Sequence, residues 1–421
     1  MIYDYVVLGV GVTGLTVLNC LLKKGVKNIL GLEAESEPGG LCRTFYVDGH
    51  SCDIGGHFFQ TRYKEVEDFV FSFFQKDKFY RINNRISKIR IEGVDIDYPL
   101  EANVWQLPVE KQVDYLISII RNGESQGRVA PVNYEEWIRW KLGDKVCDSY
   151  LIPYNNKLWG VPSNQLDVDW LHKIPRLEVS EILKNSLLHT QDVNKYPAHV
   201  SPYYPTSGGY GRVMEAIAAP VKDYIKTNTS VSKLRFDSKN KLWIVNDQFS
   251  ARNVVTTIPW PDLYVALGEP EDIASMMEKI KYNKIVISLF ETSTNEYPYH
   301  WRYRPDLNVQ HHREFFISNF AKDSKEYGVF TETNLNRFDS EKLSYNGTNL
   351  FNYVTPAAYP IPLVGRTKAI CEILEIYKRK NLFGVGRWGE HMHHNQDVCI
   401  KNAIEFVEEQ SNREDFYQYN S

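Results

Sequence analysis

The chain opens with an apolar strand that runs directly into a glycine-rich turn. Residues 5–8 (Tyr-Val-Val-Leu) precede Gly9, Gly11 and Gly14, and a helix is predicted to begin near Leu15. Gly9 permits a tight turn, Gly11 lets the backbone approach a diphosphate, and Gly14 lets the helix pack closely on the strand. The order of strand, turn and helix therefore predicts a dinucleotide-binding unit.

A second apolar strand supports this prediction. Residues 28–32 (Asn-Ile-Leu-Gly-Leu) end in Glu33, roughly 20 residues after the turn, where an acidic side chain binds ribose hydroxyls in dinucleotide-binding folds. A lone G-x-G-x-x-G sequence is a weak signal, whereas strand, turn, helix, strand and acid in this order form a strong one. We expect an α/β fold of the Rossmann type.

The residues after Glu33 decide which dinucleotide is expected. Residues 33–44 (Glu-Ala-Glu-Ser-Glu-Pro-Gly-Gly-Leu-Cys-Arg-Thr) resemble the segment that follows the second strand in FAD enzymes of the amine oxidase and protoporphyrinogen oxidase superfamily. The resemblance implies that the paired glycines and the arginine approach the pyrophosphate and the flavin. Residues 53–59 (Asp-Ile-Gly-Gly-His-Phe-Phe) extend it, because family members place a comparable segment along the isoalloxazine ring. FAD is therefore expected rather than NAD, with a Gly-Gly surface turn as the alternative.

Length and composition fit a large enzyme with more than one core. The chain has 421 residues, of which 43% are hydrophobic and 24% charged, so two or three lobes are expected. A net charge of -4 gives no signal for nucleic-acid binding, and no apolar run reaches the roughly 18–20 residues of a membrane span. Six scattered cysteines and the lack of a signal-peptide pattern favour a reduced, cytoplasmic protein.

The pattern of elements predicts a cofactor domain that the chain enters three times. We expect a Rossmann-type FAD-binding domain built from residues 1–100, 196–260 and 376–421, with an inserted helical lobe at residues 101–195. An antiparallel β-sheet substrate domain is expected at residues 261–375. The predicted elements are a helix at 62–80, a β-ribbon at 85–98 that turns at Gly93, strands at 229–260 and 284–353, a last strand at 382–386 and a closing helix at 397–409.

Motifs in the middle and at the end of the chain resemble those of UDP-galactopyranose mutases. The matching segments are residues 154–160 (Tyr-Asn-Asn-Lys-Leu-Trp-Gly), 174–176 (Ile-Pro-Arg), 207–210 (Ser-Gly-Gly-Tyr), 308–313 (Asn-Val-Gln-His-His-Arg), 359–360 (Tyr-Pro) and 386–390 (Gly-Arg-Trp-Gly-Glu). The resemblance spans nearly the whole chain and implies a flavoenzyme that binds a nucleotide diphosphate sugar. Two arginines and stacking aromatic rings are also what such a ligand requires chemically.

The resemblance implies roles for individual side chains. Tyr154 would stack on the base, Trp159 would flank the sugar, and two arginines would clamp the diphosphate. Core packing is the alternative for these aromatic residues, and a surface ion pair is the alternative for Arg313. The implied substrate-binding residues are Tyr154, Trp159, Arg176, Tyr203, Tyr204, Arg313 and Tyr359, and the implied catalytic residues are Arg176, Arg313, His57, Tyr359 and Asn395. The implied cofactor-binding residues are Gly9, Gly11, Gly14, Glu33, Gly39, Gly40, Leu41, Arg43, Gly56, His57, Phe58, Val231, Gly386, Arg387, Glu390, Asn395 and Gln396.

Two departures from the mutase pattern lie near the expected flavin and sugar. Gln60 stands where those enzymes carry a second histidine, and His393, His394 and Asn395 stand where they carry Tyr-Tyr-Asp. The next two residues, Gln-Asp at 396–397, resemble part of the Asn-Gln-Asp of wider mutase-like, polysaccharide-associated flavoproteins. A sugar nucleotide related to UDP-galactopyranose, or a different reaction on one, is therefore favoured.

The histidines at 391, 393 and 394 raise the hypothesis of a metal site, because neutral imidazoles bind transition metals. No closing set of ligands follows them, so we predict a polar loop beside the flavin and no metal. The sequence also has no Ser/His/Asp hydrolase motif, P-loop or C-x-x-C pair.

The leading hypothesis is an FAD-dependent nucleotide-sugar mutase. The resemblance implies pyranose–furanose ring isomerisation through an adduct between N5 of reduced FAD and the sugar, with NAD(P)H or another reductant acting transiently. The alternative is an FAD-dependent oxidoreductase of the amine oxidase or protoporphyrinogen oxidase type acting on a glycan-pathway or amine substrate. A third hypothesis is a flavin-bound binding or assembly partner in glycan synthesis without turnover. The sequence names neither the base nor the sugar, and a homodimer is compatible with it.

Overall fold

The computed structural model describes residues 1–83, 85–171, 177–190, 201–294, 297–343 and 345–412. The strands, in chain order, are β1 Ile2–Leu8, β2 Ile29–Leu32, β3 Thr44–Val47, β4 His50–Asp53, β5 Phe79–Arg81, β6 Ser87–Ile91, β7 Val94–Asp97, β8 Tyr203–Pro205, β9 Ile225–Lys226, β10 Leu234–Asp237, β11 Leu242–Val245, β12 Phe249–Thr256, β13 Tyr282–Asn283, β14 Ile285–Glu291, β15 Trp301–Tyr303, β16 Arg313–Phe316, β17 Gly328–Asn334, β18 Thr348–Val354, β19 Tyr359–Pro360 and β20 Leu382–Gly384. The α-helices are α1 Val12–Lys23, α2 Lys64–Phe73, α3 Val109–Ile120, α4 Tyr134–Leu142, α5 Asp144–Val146, α6 Ile152–Trp159, α7 Val179–Leu188, α8 Gly211–Ala218, α9 Trp260–Ala266, α10 Ala274–Met277, α11 Arg366–Lys378, α12 Gly386–Gly389 and α13 Gln396–Ser411.

The first sheet is parallel at its centre. β1 pairs in parallel with β2 on one side and with β12 on the other, and β9 pairs in parallel with β2. β20 pairs in parallel with the second half of β12, whereas β11 pairs antiparallel with the first half of β12 and β10 pairs antiparallel with β11. β1 and β2 read as nearly continuous apolar runs, as expected for strands that are covered on both faces. The predicted Rossmann-type α/β fold is confirmed.

The carboxyl ends of the parallel strands meet at one edge of this sheet. Gly9 follows β1, Glu33 follows β2 and Thr257 follows β12. The Thr257 hydroxyl donates to the carbonyl of Leu8 at 3.0 Å, which joins two of these strand ends. Ligands of open parallel sheets bind beyond this edge, so the fold places the three residues where a dinucleotide is expected.

The second sheet has the strand order β18, β14, β17, β16, β15, β6 and β7. Neighbouring strands are antiparallel except β15 and β6, which are parallel, with Trp301 opposite Ser87. β6 and β7 form the predicted β-ribbon, which turns at Gly93 with a φ of +82°. In the sequence, this ribbon lies within residues 1–100, the first segment expected to form the cofactor domain. In the structure it pairs with the second sheet instead. The proposed domain boundaries stay a prediction.

Helices α3 to α7 form a lobe with its own core, as the sequence indicates. Its buried residues include Tyr115, Tyr134, Trp159 and Trp170. α5 and α6 are joined through a π-helical turn at Cys147–Leu151, a feature that often occurs near functional sites. In the part of the chain that the structure describes, no helix is long and apolar enough to span a bilayer.

The helix predicted at residues 62–80 is shorter than expected. α2 ends at Phe73, and the chain then turns into β5, which pairs with β8. The ring of Phe79 packs at 4.8 Å from Phe74 and at 5.6 Å from Phe71. Reversing the chain buries three aromatic rings together, and this tertiary packing overrides the local helical pattern.

Candidate functional site

A cavity of about 590 Å³ lies between the carboxyl edge of the first sheet and the second sheet. This volume falls within the range of roughly 300–1,000 Å³ that small-molecule sites occupy. The residues after the parallel strands line one end, namely Gly9, Gly11, Leu32, Glu33, Thr229, Ser230, Val231, Thr257, Ile258 and Pro259. Residues of the second sheet, together with Arg85 before β6 and Tyr359 of β19, also line the cavity; those of the sheet are Ile285, Trp301, Arg313, Phe315 and Tyr353.

Two glycine turns lie against each other at the first end. The amide of Gly39 donates to the carbonyl of Val10 at 2.9 Å, and Gly11 and Gly39 form a parallel bridge. A Cβ atom on Gly14 would lie 2.1 Å from the carbonyl oxygen of Gly9, so close packing requires glycine there. A Cβ atom on Gly11 would lie 3.7 Å from Gly40, where space remains beside the cavity. The turns therefore leave a backbone cradle that a larger side chain would fill.

Glu33 is fixed at the end of β2. One carboxylate oxygen accepts the amide of Val10 at 2.9 Å, and the other accepts the amide of Glu35 at 3.0 Å. The side chain lines the cavity although only 7% of the residue is exposed. Each carboxylate oxygen retains a further lone pair, so Glu33 can still accept hydroxyl groups.

Arg43 bridges the glycine turns and the second sheet. Its Nε donates to the carbonyl of Gly40 at 3.0 Å, and its Nη2 donates to Glu35 and to the hydroxyl of Tyr353, both at 3.3 Å. Arg43 therefore donates hydrogen bonds to three acceptors within the protein. The guanidinium stays at the cavity wall as a cation that Glu35 partly neutralises.

His57 lines the cavity. Its Nε2 lies 3.0 Å from the carbonyl oxygen of Ile54, which can only accept a hydrogen bond, so the proton is assigned to Nε2. Burial and the nearby Arg387 cation lower the pKa of His57 to about 4. His57 is therefore neutral at pH 7, and its Nδ1, 3.9 Å from the Cys42 sulfur, has no proton. The next residue, Phe58, is held by Gln396, which donates to its carbonyl at 2.7 Å.

Arg313 belongs to a buried charge network. Its Nε donates to Glu332 at 2.8 Å and its Nη2 to the hydroxyl of Tyr359 at 3.1 Å. Although burial disfavours the carboxylate form, Arg313 and His312 lower the pKa of Glu332 to about 2. Glu332 in turn holds the pKa of Arg313 well above its usual value, against the effect of burial. The pair is therefore ionised at neutral pH and places an arginine and a tyrosine together at the cavity.

The loop before α13 closes the cavity. Arg387 donates to the carbonyl of His394 from Nε at 3.0 Å and from Nη2 at 2.8 Å. Glu390 contacts the His394 ring at 2.7 Å and also accepts from Asn402. These contacts fix the backbone on both sides of His393, and they place Asn395 at the N-terminus of α13 against the cavity.

Most residues that the sequence predicts for cofactor binding line this one cavity. They are Gly9, Gly11, Glu33, Gly39, Gly40, Leu41, Arg43, Gly56, His57, Phe58, Val231, Arg387, Asn395 and Gln396. The described residues Gly14, Gly386 and Glu390 do not line it. Gly14 and Gly386 instead allow close backbone packing, since a Cβ atom on Gly386 would lie 2.3 Å from the Thr13 hydroxyl. Glu390 acts on the site through His394.

The predicted substrate residues are divided between the cavity and its surroundings. Arg313 and Tyr359 line the cavity, whereas Arg176 lies outside the described residues. Trp159 is fully buried behind the wall, with its ring 6.0 Å from Tyr359 and 5.4 Å from His393. Trp159 thus supports two wall residues and does not itself reach the described cavity.

The three remaining predicted tyrosines also lie outside the cavity lining. Tyr154 is 9% exposed and packs with its ring 5.4 Å from Tyr303. Tyr203 packs edge-on against Phe71 at 5.7 Å, near α2. Tyr204 is fully buried and donates to Asp53 at 2.7 Å. For Tyr203 and Tyr204 the geometry is that of structural packing.

Sequence reasoning missed several wall residues, of which Arg85, Trp301 and Phe315 are the most prominent. Phe315 packs against Gly56, since a Cβ atom on that glycine would lie 2.2 Å from the Phe315 ring. Arg85 stands at the start of the ribbon, in no recognisable motif. Its position depends on the pairing of β6 with β15, which no local pattern reveals.

The three histidines near the C-terminus lie in different surroundings. His391 is fully buried, His393 lines the cavity and His394 contacts Glu390. Among the residues that the structure describes, no cluster of three or more His, Cys, Asp or Glu side chains could hold a metal ion.

Comparison with protein families assigns two parts of the chain. Residues 7–73 match the NAD(P)-binding Rossmann-like domain, and residues 135–346, half of the chain, match the flavin containing amine oxidoreductases. The chain belongs to the flavin-containing amine oxidoreductase family. This membership indicates a flavin cofactor, and the backbone cradle, the fixed acid and the cavity beside them fit one.

Individual relatives of this flavoprotein narrow the comparison. A UDP-galactopyranose mutase of Mycoplasma pneumoniae is 24% identical over 189 residues, which cover 42% of this chain and 46% of that protein. The match thus spans less than half of the relative's length. The crystal structure of reduced UDP-galactopyranose mutase superposes with a TM-score of 0.87 at 20% identity, covering 100% of this chain and 97% of that one. A fatty acid isomerase from P. acnes gives a TM-score of 0.65 at 12% identity, covering 97% and 98%. The expected likeness to UDP-galactopyranose mutases is confirmed, in sequence over 189 residues and in fold over the whole chain.

Proposed function

We propose that this chain is an FAD-dependent mutase that interconverts the ring forms of a nucleotide sugar without net oxidation. One observation carries the proposal. Arg313, ionised beside Glu332 and bonded to Tyr359, lines the same cavity as the two glycine turns. A flavin and an anionic, hydroxyl-bearing substrate would therefore share a single space.

The glycine end supplies the groups that FAD needs. The amides around Gly11 and the paired glycines at 39 and 40 would hold the diphosphate, and Glu33 would accept the ribose hydroxyls. Val231 lies farther along the same wall, where it would contact the adenine. Bound in its reduced form, FAD would supply nucleophilic electron-pair chemistry, so the protein would need no nucleophilic side chain.

The chain's own residues would then bind and orient the substrate. Arg313 and Tyr359 present adjacent donors for diphosphate oxygens, and Arg176 is proposed to complete this clamp. His57 would stay neutral beside the reacting groups, because its pKa lies well below 7. Phe58, Trp301 and Phe315 pack with ring centroids 5.4 and 5.8 Å apart and would exclude water from that end.

Two wall residues support a substrate that differs from UDP-galactopyranose. Gln60 and Asn395 both line the cavity at positions where the mutase pattern has other groups. Their amides can donate and accept hydrogen bonds but do not change charge near neutral pH. We therefore propose a sugar nucleotide related to UDP-galactopyranose rather than UDP-galactopyranose itself, in a polysaccharide-building context.

The test is anaerobic incubation of the photoreduced protein with a panel of nucleotide sugars, followed by product analysis by NMR. Isomerisation of one sugar nucleotide without loss of reduced flavin supports the mutase. In a parallel anaerobic incubation of the oxidised protein, bleaching of the flavin in proportion to substrate would contradict it in favour of an oxidoreductase. Absence of both, with nucleotide sugar still bound, would contradict it in favour of a flavoprotein without turnover.

A further inference from the structure

The last turn of α6 fastens the helical lobe to the second sheet. Lys157 lies in this turn and is fully buried, and its Nζ donates to the carbonyls of Arg304 and Asp306, both at 2.8 Å. A buried ammonium group is costly unless polar groups surround it. The two carbonyl contacts therefore hold α6 against the part of the chain that follows β15.

The carbonyls that Lys157 contacts belong to the connection between β15 and β16. β15 ends at Tyr303 and β16 begins with Arg313, which lines the cavity. The amide of Arg304 donates to the carbonyl of His312 at 2.8 Å, so the two ends of the connection are joined. A contact that fixes the backbone at Arg304 therefore also fixes the position from which the Arg313 side chain extends.

The same turn of α6 supports Tyr359, the neighbour of Arg313 at the cavity. The carbonyl of Leu158 accepts from the Asn283 side chain at 2.7 Å, and the side-chain oxygen of Asn283 accepts the amide of Tyr359 at 3.0 Å. The ring of Trp159 lies 6.0 Å from the ring of Tyr359. Three consecutive residues of α6 thus act on the pair that we propose to bind the substrate diphosphate.

The amine of Lys157 lies among charges of both signs. Burial and the nearby cations of Arg337 and Arg304 lower the pKa of Lys157 to about 7, although Asp306 and Glu314 act in the opposite direction. Arg304 itself contacts Glu314 at 2.6 Å and Asp306 at 2.9 Å. The amine of Lys157 is therefore mostly protonated below about pH 7 and mostly neutral above it.

Two histidines of the β15–β16 connection also lie near Lys157. Burial lowers the pKa of His311, and it lowers the pKa of His312 to about 4, so both rings are neutral near pH 7. His312 lies 3.4 Å from Glu332, the carboxylate that contacts Arg313. Of the lysine and the two histidines, only Lys157 changes its charge near neutral pH.

We propose that Lys157 is a positioning residue for Arg313, and that it makes the binding of an anionic ligand tighter below neutral pH than above it. A charged ammonium group forms stronger hydrogen bonds to carbonyls than a neutral amine does. Protonated Lys157 therefore holds the β15–β16 connection, and with it Arg313, more firmly. By linkage, a ligand that binds this state more tightly also favours protonation of the amine. The role of Arg313 as a diphosphate ligand rests on the proposed function.

The test uses the purified flavin-loaded protein and measures the binding of UDP and inorganic pyrophosphate by calorimetry. Lys157→Met removes the donors but keeps a side chain of similar length, and it should weaken both probes roughly threefold to tenfold. Lys141→Met is the matched control, because Lys141 is a buried lysine of α4 that contacts Glu124 in the helical lobe. This control should lower the melting temperature and leave both affinities unchanged.

The pH profile separates positioning from a purely structural contribution. The ratio of parent to Lys157→Met affinity cancels the ionisation of the probe, because both proteins bind the same ligand. This ratio should be largest near pH 6 and should fall toward pH 8, as the amine of the parent loses its proton. A ratio that does not change with pH overturns the role of the charge, and a ratio of one at every pH overturns the whole inference.

A comparison of double variants shows whether Lys157 acts through Arg313. The background is Arg313→Ala combined with Glu332→Gln, which removes both charges of the buried pair. In this background Lys157→Met should weaken UDP no further, because the group that it positions is already absent. A further loss of the same size would show that Lys157 acts on another group and would overturn the inference.

Failure of this inference differs from failure of the proposed function. Parent-like binding of both probes by the Arg313→Ala, Glu332→Gln protein contradicts the proposed function, whereas parent-like binding by Lys157→Met alone contradicts only the inference. Should Lys157→Met fail to fold, Lys157→Gln keeps two N–H donors without a charge. Its affinity should be weaker than that of the parent near pH 6 and should approach it near pH 8, and parent-like affinity at every pH overturns the inference.

Discussion

Arg313 contacts a single carboxylate oxygen of Glu332 with two nitrogens, Nε at 2.8 Å and Nη2 at 2.6 Å. Glu332 is fully buried, so its charge depends on this partner and on His312 at 3.4 Å. Removing one member of a buried pair leaves the other charge without compensation. The arginine proposed to bind the substrate thus also contributes to the stability of the second sheet.

This relationship predicts the behaviour of Arg313 variants. Arg313→Ala should lower the free energy of unfolding by on the order of 3 kcal/mol, because Glu332 stays charged and buried. Arg313→Ala combined with Glu332→Gln should recover much of the loss, since neither buried charge remains. Urea denaturation of the parent, the two single variants and the double variant measures this coupling. A double variant as unstable as Arg313→Ala would show that the charge of Glu332 is not the cause.

Tyr359 and Tyr204 provide a matched pair of Tyr→Phe substitutions. Tyr359 accepts from Arg313 at the cavity, whereas Tyr204 donates to buried Asp53. Tyr359→Phe should weaken UDP binding roughly threefold to tenfold, with little change in stability. Tyr204→Phe should cost about 1.5–3 kcal/mol of stability and leave UDP affinity unchanged. Calorimetry and thermal unfolding of both variants separate the roles, and a large loss of UDP affinity in Tyr204→Phe would contradict the assignment.

These two tyrosines show why the site could be predicted only in part. Both were candidates from sequence, because a tyrosine in a matching motif suits either packing or binding. Whether Tyr204 packs or binds depends on its hydrogen bond to Asp53, which lies 151 positions away in the chain. A local sequence pattern does not reveal such a contact. The glycines at 9, 11 and 14 could be predicted because their function is encoded by neighbours in one strand, turn and helix.

The same distinction applies to the fold. The parallel sheet follows from contiguous apolar runs and a glycine turn, all visible locally. The pairing of Ser87 with Trp301, which brings the ribbon into the second sheet and Arg85 to the cavity, joins segments far apart in the chain. Such pairings are set by tertiary packing, so the ribbon could be predicted but not its sheet.

The protein is expected to lose stability in acid because of His300. Its Nδ1 accepts the amide of Ile86 at 2.9 Å, the residue is 8% exposed, and burial lowers its pKa to about 4. The pKa is depressed relative to the ordinary value of about 6.5, so the stability contribution is complete above pH 6.5 and falls as the pH drops toward 4. His300→Gln, which keeps an acceptor but no titrating ring, should flatten this part of the pH profile. Melting temperatures between pH 7 and pH 4 test this, and equal slopes for both proteins would contradict it.

Gly11 offers a test of the cofactor turn. Its φ is −72°, so substitution is not opposed by the backbone, and a Cβ atom would meet Gly40 at an ordinary 3.7 Å. Gly11→Ala should therefore fold and keep part of its flavin, whereas the branched side chain of Gly11→Val should enter the diphosphate cradle and strip it. Flavin absorbance of the purified variants measures the occupancy. Full flavin content in Gly11→Val would show that the turn is placed wrongly.

The last prediction is that activity requires reduced flavin although the products carry no net oxidation. Among the described residues that line the cavity, no side chain has the pattern of an activated nucleophile, since burial raises the pKa of the Cys42 thiol to about 12 and also raises that of Cys399. Under the proposed function, the electron pair for the reaction would come from the cofactor and return to it. Dithionite or NADPH should switch activity on in catalytic rather than stoichiometric amounts, and air should switch it off without consuming substrate. Parallel measurement of product, reductant and dioxygen decides the matter, because turnover by oxidised protein with dioxygen consumed in proportion to product would establish an oxidase instead.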